Sequence, residues 1–179
     1  MKINNRKISI NSPPFIVAEI SANHNNNLNR ALKLIDEAKK AGADAVKLQT
    51  YTADTITLKT KKREFLISDK ESLWKGKYLH DLYKKGSTTW SWHKELFNRA
   101  KKNRIICFSS PFDETAVDFL EKFNVPAYKI ASFENNHIPL VKKIIKTKKP
   151  IIISTGATHL KEIYEIIKVF RRKKFKNFA

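Results

Sequence analysis

The sequence predicts an α/β protein built of successive β/α units around a parallel sheet, and three observations carry that prediction. Apolar runs of strand length alternate with segments of helical period along nearly the whole chain. The runs are short, several are rich in Ile and Val, and they read as strands buried on both faces. Polar side chains come after each run at the same point, where a parallel sheet assembles its active sites. With 179 residues, 41% of them hydrophobic, the chain can bury one sizeable core and is treated as one unit.

Five strands are expected in order: Phe15 to Ile20, Ala45 to Gln49, Ile105 to Ser109, Ala127 to Ala131 and Ile151 to Ser154. Between the first two, Leu28, Leu32 and Ile35 form a helical stripe, and Gly42 is placed to end that helix in a left-handed conformation. A later helix carries Trp92, Leu96 and Ala100. Asp113 can cap the next one, whose inner side holds Val117 and Leu120. Pro150 stops another helix just before a strand, and Thr158 is the expected cap of the last, with Leu160, Ile163, Ile167 and Phe170 facing inward.

The second crossover departs from this rhythm, because about forty residues from Tyr51 to Thr89 precede its helix. They contain LWKGKYLHDLY, whose aromatic side chains are awkward to leave in water. A packed excursion with a short helix from Tyr78 to Lys84 is expected.

Charge and cysteine use narrow the function classes. Thirty-six basic against 17 acidic residues leave a net charge of +19, enough for nonspecific attraction to phosphate polymers. The lysines are spread over polar helix positions, however, and no nucleic-acid motif accompanies them, so a solvated outer face is the favoured reading. The run Arg171 to Lys174 falls in the last turns of a helix and complements its dipole. The lone Cys107 excludes an internal disulfide and, within IICF, reads as core packing. No apolar stretch approaches the roughly 20 residues that span a bilayer, and the start has no signal-peptide core, which makes the cytoplasm the expected location.

The candidate site lies in the polar residues at and just after the strand ends. The first strand leads into Glu19, Ser21, Asn23 and His24, and the second carries Lys47 and Gln49. The third ends in Ser109 and Ser110, the fourth brings Lys129, Ser132 and Glu134, and the fifth ends in Ser154 and Thr155. Two lysines inside apolar strands are costly to bury without anionic partners. A phosphorylated, carboxylated ligand would supply those partners, and so would internal pairing with Glu19 and Glu134. Two carboxylates beside such a ligand suit general acid work. His24 has no second histidine at ligand spacing, and glycine-rich loops, GxSxG elbows and CxxC pairs are missing.

The strings IVAEISANHN (16 to 25), DAVKLQTY (44 to 51), CFSSPFDETAVDFL (107 to 120), YKIASFE (128 to 134) and PIIISTG (150 to 156) resemble the catalytic barrel of the sialic acid synthase family. SANHN, SSPFDETAVDFLE, SLWKG and LHDLYKK are most similar to the pseudaminic acid synthases within it. The resemblance implies a partial (β/α)8 TIM barrel of about five β/α units, not closed, with exposed ladders on its first and fifth strands. Residues 1–14 would be an amino-terminal segment capping the barrel and residues 15–179 the truncated barrel domain. The family's carboxyl-terminal antifreeze-like domain would be absent.

The implied activity is a transferase reaction that condenses phosphoenolpyruvate with a six-carbon amino sugar to give a nine-carbon nonulosonic acid. By family pattern Lys47, Ser110, Lys129, Ser132 and Ser154 match phosphoenolpyruvate-binding positions, while Glu19, Gln49 and Glu134 match positions near the sugar and the reacting carbons. Glu19 and Glu134 are the catalytic candidates, their division of labour open. The resemblance further implies a divalent metal, Mn2+ or Mg2+, held by ligands beyond Ala179, a homodimeric complete enzyme, and little turnover by this chain alone. Asn135, Asn136, His137 and Thr89 depart from the family pattern. The alternatives are an N-acetylneuraminic or legionaminic acid synthase and, from another class, a noncatalytic remnant or a basic nucleic-acid-binding protein.

Overall fold

The structure, a computed structural model, describes residues 1–179. A two-residue ribbon of β1 (Lys2–Ile3) and β2 (Arg6–Lys7) opens the chain. Five strands come next: β3 (Val17–Glu19), β4 (Ala45–Thr50), β5 (Ile106–Pro111), β6 (Tyr128–Ile130) and β7 (Ile151–Ile153). They pair in chain order and all in parallel, which makes an open half-barrel. The helices are α1 (Leu28–Lys40), α2 (Ala53–Ile56), α3 (Leu79–Gly86), α4 (His93–Lys102), α5 (Glu114–Glu121), α6 (Ile138–Lys146) and α7 (Leu160–Arg172).

Side chains alternate between the two faces of each strand, and this alternation divides the molecule. On the outer face Val46 and Leu48 pack with Ile35 of α1 and with Leu96 and Ala100 of α4. Farther along, Tyr128, Ile130 and Ile151 pack against Val117, Leu120, Leu140, Ile144, Ile166 and Phe170. The inner face starts apolar at the amino ends of the strands, where Val17, Ala45, Phe108, Ala127 and Ile152 gather around the fully buried Ile3. It ends polar. The same β4 face that begins with Ala45 continues to Lys47 and Gln49, and Ser110 lies beside Gln49 on β5.

Local signals explain several boundaries. Gly42 has φ +85° after α1, the conformation expected of a helix-terminating glycine. Asp113 caps α5 by accepting the Thr115 backbone N–H at 2.9 Å. Cys107 is buried on the outer face, and burial pushes its thiol pKa well up, consistent with packing rather than nucleophilic use.

Four expectations are corrected. The fifth strand does not present a bare ladder, because Asn177 to Ala179 pair with β7: the Ile151 N–H donates to the Asn177 carbonyl at 3.0 Å and the Ile153 N–H to the Ala179 carbonyl at 2.8 Å. Thr158 does not cap α7; His159 does, with Glu162 closing a capping box, while the Thr158 hydroxyl turns back to the Gly156 carbonyl at 2.8 Å. On α7 the buried residues are Ile166 and Phe170, and Leu160 is 64% exposed. The helical stripe is therefore rotated from the expected one. In the excursion, α3 forms where expected, but Leu73 and Trp74 stand out in solvent on a turn between Ile67 and Lys77.

Candidate active site

The turn after β3 supplies the first group of polar side chains. Ser21, Asn25 and Asn26 all have positive φ, which curls the chain back over the strand ends. His24 anchors this curl from a fully buried position. Its Nδ1 accepts the Asn26 N–H at 3.1 Å, which leaves the proton on Nε2 to be donated to the Thr88 hydroxyl at 3.3 Å. Burial lowers its pKa. Both ring nitrogens are thus engaged, and the ring meets Trp92 edge-on at 5.6 Å.

Glu19 and Lys47 sit in register on β3 and β4 and form an ion pair. The other Glu19 oxygen accepts the Ser21 N–H at 3.0 Å, and the Lys47 ammonium donates to the Ser110 hydroxyl at 3.3 Å. The Lys47 side chain is only 13% exposed, so this pairing compensates its desolvation. Gln49 accepts from the Ser21 hydroxyl at 3.4 Å.

The second group surrounds Lys129 on β6. Its ammonium donates to the Ser154 hydroxyl at 2.5 Å and to the Ile130 carbonyl at 2.8 Å, without a carboxylate at ion-pairing distance. Burial, and then the neighbouring Lys47 charge, bring its pKa down to about 8 against the weaker pull of Glu19 and Glu134. Glu134 shifts the opposite way, its pKa raised by burial, and its Oε2 is buried without a hydrogen-bond partner. The internal pairing expected as one alternative thus holds for Lys47 with Glu19 and fails for Lys129 with Glu134.

Ser132 meets the loop after β7 through a close approach that needs glycine. A Cβ on Gly156 would lie 2.9 Å from the Ser132 Oγ. Asn135, buried at 1% exposure, ties the same two loops together: its amide donates to the Ser154 carbonyl at 3.1 Å and to the Thr158 hydroxyl at 2.5 Å. Of the eight residues matched to the family's site, Glu19 ends β3, Gln49 and Ser110 are next to last in β4 and β5, and Ser132, Glu134 and Ser154 follow β6 and β7, while Lys47 and Lys129 stand mid-strand in β4 and β6.

Two supports of this face escape a reading of the sequence. Asn135 stands out there only as a departure from the family pattern, and its polar neighbours give no sign of its burial. His93 is not marked at all. It lies on the outer side of the sheet, fully buried, with Nδ1 donating to the Thr89 carbonyl at 3.3 Å; Nε2 then accepts from Thr50 at 2.8 Å, and Thr50 in turn accepts from Ser109 at 2.7 Å. Burial brings its pKa down to about 4. A histidine opening a helix carries no signal of such a role.

No three His, Cys, Asp or Glu side chains of this chain converge at metal-binding spacing. No helix is long and apolar enough to cross a membrane.

Comparison with known proteins agrees with the fold. The chain is 48% identical over 160 residues to the pseudaminic acid synthase of Campylobacter jejuni, covering 89% of this chain and 46% of the relative. It is 39% identical over 159 residues to the N,N'-diacetyllegionaminic acid synthase of the same species, covering 86% of this chain and 46% of the relative. The N-acetylneuraminic acid synthetase of Leptospira borgpetersenii, solved in complex with citrate, superposes with a TM-score of 0.84 at 30% identity, covering 99% of this chain and 56% of that one. The chain spans about half the length of the curated relatives it matches. The NeuB family model matches residues 34–179, and the chain belongs to the NeuB family.

Proposed function

We propose that the inner face of this half-barrel is the phosphoenolpyruvate-binding half of a pseudaminic-acid-type synthase. The observation that carries the reading is the unequal compensation of its two lysines. Lys47 is neutralised by Glu19, whereas Lys129 is half-buried beside it with only a hydroxyl and a carbonyl for company. An anion between Ser110, Ser132 and Ser154 supplies the missing counter-charge, with the serine hydroxyls donating to its oxygens.

Lys129 and Lys47 then hold phosphate and carboxylate, and Gln49 and Glu19 face the sugar. C3 of phosphoenolpyruvate bonds to the aldehyde carbon of the open-chain amino sugar, and the aldehyde oxygen takes a proton. Water adds to the electron-poor C2 and gives up a proton, and collapse of the new C2 hydroxyl to a carbonyl, with loss of its second proton, breaks the bond from C2 to the ester oxygen, releases phosphate and leaves the nine-carbon 2-keto acid. Glu134 is the donor of that first proton, because its burial favours the protonated form. The identity of 48% against 39% favours the pseudaminic over the legionaminic substrate class. A homodimer and a cytoplasmic location belong to the same proposal.

Titration calorimetry of phosphoenolpyruvate into the purified chain tests the site. Saturable binding is expected, weakened about 10- to 100-fold in Lys129→Ala, as suits loss of a charged hydrogen bond. Equal binding by the folded variant removes the assignment.

A further inference from the structure

We propose a second ligand site, specific for nucleoside phosphates, in the outer cleft between α4 and the segment from Lys122 to Pro126 that follows α5. The cleft has a volume of about 570 Å³, within the size range of small-molecule sites. Its apolar wall is formed by Phe97 and Phe123, whose rings stack at 5.2 Å with 23° between their planes, and the buried Cys107 lies in its floor. Lys94, Lys101 and Lys122 line it, and no acidic side chain does.

The cleft brings two further features to one place, although its lysines and asparagines are exposed like most of those on this chain. None of the three lysines is among the ion pairs of the chain, which engage Lys40, Lys47, Lys61, Lys143, Lys149 and Lys168, and none makes a side-chain hydrogen bond. Asn98 and Asn124 add side-chain amides that are likewise free of protein partners. An aromatic surface, three unpaired ammonium groups and two amides together match one ligand chemistry. A planar base packs on the phenyl rings, the amides meet its polar edge, and the lysines take the phosphate.

The cleft reaches Ile106 at the amino end of β5, whereas Ser110 stands near the carboxyl end of that strand. The two sites are thus at different ends of the sheet and share no side chain. The inference stands independently of the phosphoenolpyruvate reading.

The test titrates AMP, CMP, GMP and UMP, with inorganic phosphate and uncharged nucleosides as controls, into the intact chain at about 150 mM salt, near physiological ionic strength, followed by two-dimensional amide NMR. At least one nucleotide is expected to bind with a Kd below about 1 mM, at least about tenfold tighter than phosphate or its own nucleoside, and to shift the side-chain amides of Asn98 and Asn124. Lys101→Gln combined with Lys122→Gln should weaken it about tenfold or more, while Lys33→Gln combined with Lys148→Gln leaves it unchanged. Phosphate binding as tightly as every nucleotide, equal loss in both double variants, or shifts confined to other residues would each overturn the proposal.

Discussion

Lys129 reaches across from β6 to the Ser154 hydroxyl at 2.5 Å, while Lys47, two strands away, is already matched by Glu19. The half-barrel therefore holds one satisfied and one unsatisfied cation on the same inner surface. That asymmetry sets the first prediction.

Phosphoenolpyruvate affinity should fall as pH rises through about 8. The free site has Lys129 titrating at about 8, and an anion binds its charged form, so above that pH each unit removes up to about tenfold in affinity. Calorimetry from neutral pH to well above 8 checks this, and protons should be taken up on binding near pH 8. A flat profile would separate Lys129 from the ligand.

Gly156→Ala should weaken phosphoenolpyruvate binding about tenfold or more with a small loss of stability. The added Cβ meets the Ser132 Oγ at 2.9 Å and must turn that hydroxyl away, while the Ser132 Cβ at 3.5 Å tolerates it. Combining Gly156→Ala with Ser132→Ala should recover the thermal midpoint but not the binding.

The fold should lose stability in acid between pH 6.5 and about 4. His93 is neutral in the native state and its pKa of about 4 lies below the unfolded value, so the unfolded chain binds the extra proton over this window. Its contribution is complete above pH 6.5 and falls by up to roughly 1.4 kcal/mol per pH unit below it. Urea titrations across this range check the slope; His93→Gln should flatten it, and an unchanged slope would relieve His93 of the role. The lowered pKa of His24 adds a change of the same sign.

Ile3→Ala should cost about 2 to 5 kcal/mol, the usual range for truncating a fully buried aliphatic side chain. Ile3 has no exposed surface and fills the space among Ala45, Phe108 and Ala127 at the amino ends of the strands. Equilibrium unfolding measures the loss. A change below about 0.5 kcal/mol would mean that the ribbon only lies against the barrel.

Hydrophobic period and punctuation were enough to determine the five parallel strands, the helices between them and the segment that leaves the pattern after Tyr51, because burial on both faces of a parallel strand leaves a continuous apolar run. The same pattern marks Lys47 and Lys129 as exceptions, since a cation inside such a run is conspicuous. Which of them is paired was decided only by tertiary structure: Glu19 and Lys47 are far apart in sequence but adjacent in strand register, while Glu134 lies after β6 in a turn that keeps it from ion-pairing distance of Lys129. The burial of Asn135 and His93, and the glycine that Ser132 requires at position 156, were likewise settled by how separate loops and helices pack. One-dimensional pattern records which face a residue prefers on its own element; the partner it finds there depends on the spacing and rotation of the neighbouring element, as the exposed Leu160 and the buried Ile166 of α7 illustrate.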